Sequence, residues 1–126
     1  MNSTPSRRFP QSMRLKHRRD FEHARQAGKR LVRGCLIANW LEGADAAGTR
    51  LGVIVGRKVG KAVVRSRTRR LLREVFRAHR AELHQPLTLV LVARPSIAGK
   101  TLAEVERDFL AAMRATRLLE RRVDER

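Results

Sequence analysis

The sequence predicts an α+β domain in which helices pack against one small sheet, and three observations carry that prediction. Residues 61–83 have a helical period that puts apolar and cationic side chains on opposite sides. The run Leu-Thr-Leu-Val-Leu-Val-Ala at 87–93 is almost wholly apolar, as a central strand buried on both faces would be. Thr101-Leu102-Ala103-Glu104 matches a capping box, in which hydroxyl and carboxylate satisfy free backbone N–H groups at a helix start.

Taken in order, residues 15–28 read as a first helix, with Phe21 and Ala24 on one side and Gly28 as its stop. Residues 31–41 mix apolar and small polar side chains and read as one strand. Gly, Ala and Asp make 42–49 a loop, after which the β-branched run 51–55 returns to pair with the first strand as a hairpin. Gly56-Arg57-Lys58-Val59-Gly60 breaks the pattern before the long helix, and Arg94-Pro95 ends the apolar strand. The last helix carries Leu102, Val105, Phe109, Leu110 and Met113 at three- and four-residue spacing. Residues 1–12, rich in Ser, Pro and Arg, are expected to form a disordered basic arm. Residues 13–117 make a single domain, and 118–126 a charged tail.

Charge narrows the function. The chain carries 29 Lys and Arg against 12 Asp and Glu, a net charge of +17. Solubility alone asks for a magnitude of about 2–8. Folding so cationic a chain costs self-repulsion that a polyanion relieves, and nucleic acid adds the release of condensed counterions. Cys35 is the only cysteine, which excludes an internal disulfide and a cysteine-based zinc site. It lies in an apolar run and reads as a small buried side chain. No apolar run approaches the roughly 18 residues of a membrane span, so a cytoplasmic location is expected, with no membrane partner.

The long helix is the strongest signal. With Arg65 set at zero, Val64, Thr68, Leu71, Leu72, Val75 and His79 fall between about 240° and 340°. Arg65, Arg69, Arg70, Arg73, Arg77 and Arg80 fall between about 0° and 140° on the same projection. Between Arg57 and Arg80 there are ten Lys or Arg and one acid, Glu74. Like charges at i,i+4 repel mildly, so a face built only for solubility would intersperse acids. Eight of the ten cations are arginine, whose planar fork grips phosphates bidentately and stacks on bases. The free N–H groups near Gly60 and Lys61 add an anion site.

The segment Gly60-Lys61-Ala62-Val63-Val64-Arg65-Ser66-Arg67-Thr68-Arg69-Arg70-Leu71-Leu72-Arg73-Glu74 resembles the signature helix of the bacterial ribonuclease P protein component. In that family it follows a strand and a basic turn, here 51–55 and Gly56-Arg57-Lys58. Asp20-Phe21 and Ala93-Arg94-Pro95 extend the likeness, which spans about residues 15 to 113. It departs at Ser66, where the family has Asn, and at Arg25, where a second aromatic is common. The resemblance implies an α-β-β-β-α-β-α fold with a small mixed sheet, like the second domain of a small-subunit ribosomal protein. It also implies a left-handed βαβ crossover, against the usual handedness.

For function, the resemblance implies a subunit that binds the catalytic RNA and the 5′ leader of precursor tRNA, with no obligate protein partner. Arg57, Lys58, Lys61, Arg65, Ser66, Arg67, Arg69, Arg70 and Arg73 would bind the catalytic RNA. Phe21, Arg25 and Trp40 would belong to the leader cleft, although Phe21 and Trp40 serve equally well as core or sheet-edge residues. Mg2+ would be held mainly by the RNA. No residue of the chain is expected to be catalytic: His17, His23, His79 and His84 are scattered, and the acids form no Asp-x-Asp cluster. A ribosomal or other structural RNA-binding protein fits the charge equally well. A DNA-binding regulator fits less well, because a strand rather than a short helix precedes the basic helix.

Overall fold

A computed structural model describes residues 14–15, 17–43, 49–83 and 86–119. The expected basic arm, His84 and the chain from Glu120 onward lie outside the described residues. Three helices and four strands follow in the order α1 (Arg18–Ala27), β1 (Lys29–Arg33), β2 (Leu36–Glu42), β3 (Arg50–Ile54), α2 (Ala62–His79), β4 (Leu87–Ala93) and α3 (Leu102–Ala115). The strands form one mixed sheet ordered β1-β2-β4-β3. The α+β class is as the sequence predicts, and the α-β-β-β-α-β-α order is the one the family resemblance implies.

Two strand expectations are corrected. Residues 31–41 are not one strand: the chain turns at Gly34, whose φ of +56° suits glycine, and β1 pairs antiparallel with β2, Leu31 facing Ala38. Nor do the segments around 31–41 and 51–55 form a hairpin. β4 lies between β2 and β3, antiparallel to the first and parallel to the second. β4 is the most apolar strand, with Leu87, Leu89, Val90 and Leu91 fully buried. An edge position would leave that strand half unpaired, and insertion between two neighbours satisfies its backbone on both sides.

The first helix also starts later than expected. Leu15 is outside it, donating its N–H to the Leu51 carbonyl at 2.9 Å, while Arg14 bridges to Leu51 in parallel. The end of the N-terminal segment thus adds to the edge of β3.

α2 and α3 cover one face of the sheet. Leu71, Leu72, Val75 and Phe76 from α2 and Val105, Phe109, Ala112 and Met113 from α3 are buried in one cluster with Leu36, Ala38, Trp40, Leu89 and Leu91. Each fully buried Leu, Val, Phe or Met side chain among them contributes about 1.5–3 kcal/mol. Thr101 caps α3 as the sequence predicts: its hydroxyl accepts from the Glu104 N–H at 3.2 Å, and the Glu104 carboxylate accepts from the Thr101 N–H at 2.9 Å. Leu102, assigned to the apolar stripe, is instead 42% exposed. Leu118, at the start of the charged tail by composition, is buried, and Leu119 bridges to Leu83. Cys35 is buried, and burial followed by its hydrogen bond to Asp108 pushes its thiol up to about 12.

Candidate RNA interface

The basic helix is presented by a short entry. Arg57–Val59 form a 3-10 turn anchored by buried Val59, and Gly60 turns the chain with φ at +152°. Lys61 then opens α2 in an extended conformation, with no side-chain cap and no acid in the first turn. A helix N-terminus without acids keeps its partial positive charge uncompensated.

The wheel largely holds. Thr68, Leu71, Leu72 and Val75 are buried, and the Thr68 hydroxyl donates to the Val64 carbonyl at 2.8 Å. Phe76 is the exception: it projects near 20°, among the arginines, yet it is wholly buried. The docked arc is therefore wider than the apolar periodicity suggests. Arg65, Arg69, Arg73 and Arg77 flank that arc half-buried, while Ser66, Arg67 and Arg70 point outward and are exposed. Arg57, Lys58 and Lys61 are exposed as well.

Arg65 and Arg67 are each held by a backbone carbonyl. Arg65 donates through Nε to the Gly60 carbonyl at 3.1 Å, and Arg67 donates through Nη2 to the Lys100 carbonyl at 3.1 Å. Such ties remove rotamer freedom before any ligand arrives. The Arg73 guanidinium has its pKa lowered, first by burial and then by the charges of Arg14 and Arg69. Nothing in the sequence marks Arg14 for this site. Strand alternation places it: Leu15 joins the cluster under α1, so Arg14, one residue back, turns toward α2.

The opposite face of the sheet forms the floor of a cleft. Pairing register sorts its side chains into rows: Arg30, Asn39, Val90 and Gly52 in one, and Val32, Ile37, Val92 and Ile54 in the next. α1 covers part of this floor, where Ala24 and Leu15 bury with Val90, and Phe21, Ile54 and Val92 pack half-buried around them. The Phe21 ring lies on the backbone of Gly52, so close that a Cβ there would come within 2.5 Å of ring carbon Cε1. At one end, Leu15, Asp20, His23, Leu41, Gly43, Arg50 and Thr88 line a cavity of about 270 Å³. Arg50 Nε is buried there without a hydrogen-bond partner.

The structure separates the three residues assigned to the cleft. Phe21 is in it, and Arg25 is exposed one turn further along α1. Trp40 is not: it pairs in register with Leu89, shares the face of Leu36 and Ala38, and is 6% exposed within the core under α2 and α3. The run Leu36-Ile37-Ala38-Asn39-Trp40-Leu41 has no clean alternation, so the sequence could not tell which face its indole takes.

The described histidines, His17, His23 and His79, play structural or peripheral parts. His79 bonds Glu82 through Nδ1 at 3.0 Å and Glu106 through Nε2 at 2.5 Å, and its ring stacks on Phe109. This joins the end of α2 to α3. His17 and His23 are exposed on or beside α1. Among the described residues, no group of His, Cys, Asp or Glu is arranged to hold a metal ion, and no helix is long and apolar enough to cross a membrane.

The family model for ribonuclease P matches residues 9–117. A ribonuclease P protein component from Syntrophomonas wolfei is 31% identical over 112 residues, covering 89% of this chain and 93% of the relative. One from Thermus thermophilus is 39% identical over 108 residues, covering 84% of this chain and 61% of its own length. Among solved structures, the ribonuclease P protein of Staphylococcus aureus superposes with a TM-score of 0.78 at 20% identity, covering 86% of this chain and 98% of that one. That of Thermotoga maritima superposes at 0.71 with 28% identity, covering 81% and 96%. With the family model spanning the helix, the cleft and the sheet between them, the chain belongs to the ribonuclease P protein family.

Proposed function

We propose that this chain serves as the protein subunit of a ribonuclease P holoenzyme, gripping the catalytic RNA with α2 and the 5′ leader of precursor tRNA with the cleft. The observation that carries this is the division of the surface. A cationic ridge and an apolar cleft lie on opposite faces of one sheet, with Leu15 buried in the cleft cluster and the charge of neighbouring Arg14 felt by Arg73 on the ridge.

Arg65, Arg67, Arg69, Arg70 and Arg73, with Arg57, Lys58 and Lys61, suit a folded RNA because their forks reach phosphates from one rigid helix. Burial first, then repulsion from Arg14 and Arg69, lowers the Arg73 pKa, and an RNA phosphate beside it would relieve that repulsion. Ser66 lies exposed between Arg65 and Arg67 and offers a hydroxyl to the same ligand. In the cleft, Phe21 offers an aromatic face to an unpaired base, and Arg50 and Arg25 offer donors to the leader backbone. Single-stranded nucleic acid is commonly held this way, by stacking along a positively charged groove.

Cleavage of the leader is assigned to the RNA. The ridge carries cations where a divalent metal would need phosphate or carboxylate oxygens, so Mg2+ fits the RNA rather than this surface. A bacterial cytoplasm is the expected setting. The test is reconstitution with a bacterial ribonuclease P RNA at low Mg2+. Addition of the protein should accelerate leader removal, and an unchanged rate would overturn the assignment.

A further inference from the structure

Three large hydrophobic side chains are exposed among the described residues: Val63 at 80%, Leu102 at 42% and Val32 at 40%. Val32 belongs to the cleft floor. The other two lie on different helices near one arginine. Val63 and Arg67 are four apart on α2 and so share a face, near 160° and 200° on the projection used above, opposite the buried arc. Leu102 begins α3 two residues after Lys100, whose carbonyl accepts the hydrogen bond from Arg67.

The fold has no evident use for this arrangement. A β-branched residue in an exposed first helical turn loses side-chain freedom without gaining burial, and acids or small polar residues serve a helix start better. Leu102 follows the capping Thr101 and leaves the core to Val105 and Phe109. Single exposed hydrophobics are ordinary. Two beside a tethered guanidinium, within an otherwise cationic surface, are a different case. The tether also matters chemically. It engages Nη2 through the edge of the guanidinium plane, which leaves the flat faces of the group for stacking.

We propose that Val63, Arg67 and Leu102 form a small platform on which one unpaired nucleotide of the partner RNA stacks. The occupant follows from charge complementarity. Ser66 and Arg70, near 100° and 140° on the same projection, lie exposed beside the patch, and a base brings an apolar face on a polyanionic backbone. The proposal rests on the RNA-binding role of α2 and adds to it a contact that salt does not screen. Phosphate contacts weaken as salt displaces them, whereas stacking and apolar burial barely respond to ionic strength.

The test is equilibrium binding to a bacterial ribonuclease P RNA over a salt series, with thermal melting of each variant. Three variants probe the platform: V63A, the double change V63A with L102A, and R67K, which keeps the charge and removes the plane. Each should weaken binding by about fivefold to tenfold at every salt concentration, with the slope of log affinity against log salt unchanged. V63I should bind like wild type, and melting temperatures should match, since Val63 and Leu102 carry little of the core. As a control, R70A should flatten the slope by about one phosphate contact. Wild-type affinity in V63A, the double variant and R67K would overturn the platform while leaving the ridge intact, provided R70A still loses binding. Failure of the wild-type chain to bind the RNA would overturn both.

Discussion

The ridge on α2 and the cleft beneath α1 make instructive opposites. The ridge is one helix, its residues are close in sequence, and its chemistry is charge. The cleft is assembled from α1 and all four strands, its residues are scattered from Leu15 to Val92, and its chemistry is largely apolar. A ridge of this kind survives small shifts of backbone, because Coulomb attraction acts over several ångströms. A cleft does not. A ring lying on a glycine backbone depends on contacts that a fraction of an ångström destroys. The two regions should therefore fail differently when altered.

The largest expected effect tests whether Trp40 is core rather than cleft. Trp40→Ala should cost about 3–5 kcal/mol of stability, read from denaturant unfolding, because it empties a buried indole site. Under conditions where the variant is still folded, its discrimination between precursor and mature tRNA should equal that of wild type. A selective loss of precursor binding would return Trp40 to the cleft.

Next comes the ridge. The double reversal R65E with R67E should lower affinity for the catalytic RNA by about 100-fold or more at moderate salt, through lost phosphate contacts and added repulsion. Its melting temperature should stay close to wild type, since both guanidinium groups lie outside the core. Undiminished affinity would remove α2 from the interface.

The cleft should respond more gently and more selectively. Phe21→Ala should weaken precursor tRNA binding by the holoenzyme about tenfold, the scale of one lost stacking contact, and leave mature tRNA nearly unaffected. Equal losses for both RNAs would show that the ring serves packing alone.

The smallest effect concerns neither surface but the joint that keeps α2 on α3. Burial of the His79 ring disfavours its charge, yet hydrogen bonds donated to the Glu106 and Glu82 carboxylates prevail and raise its pKa above the usual value. A raised folded pKa means protonated His79 stabilises the fold below the unfolded value of about 6.5, and that support is lost as pH rises through the folded pKa. The stability gap between wild type and H79Q should be on the order of 1 kcal/mol at mildly acidic pH, and it should shrink on the alkaline side. A gap that does not change with pH would mean that the ring packs on Phe109 without the charge mattering.

Legibility followed the same division. The ridge could be found in the sequence because helical periodicity is local: Arg65, Arg69 and Arg73 declare their face by spacing alone. Phe76 escaped because docking geometry, not hydropathy period, set how far the buried arc extends. The cleft was harder. Phe21 was found through resemblance, whereas Arg50 and Arg14 gave no signal, since their positions depend on which strand pairs with which. Trp40 shows the limit most plainly, because one residue of strand phase separates cleft from core.

By itself, the sequence determined the α+β class, the presence of the three helices, the capped start of α3, the cationic face of α2 and a net charge that suits a polyanionic partner. These depend on periodicity, capping and charge, which act between residues near each other in the chain. Only the tertiary structure decided that β4 enters the middle of the sheet and that Gly34 splits one strand into two. It also decided that Trp40 faces the helices and that Arg67 is tied to the start of α3. Those outcomes come from satisfying backbone hydrogen bonds and filling a core across long sequence separations, where no local pattern specifies the partner.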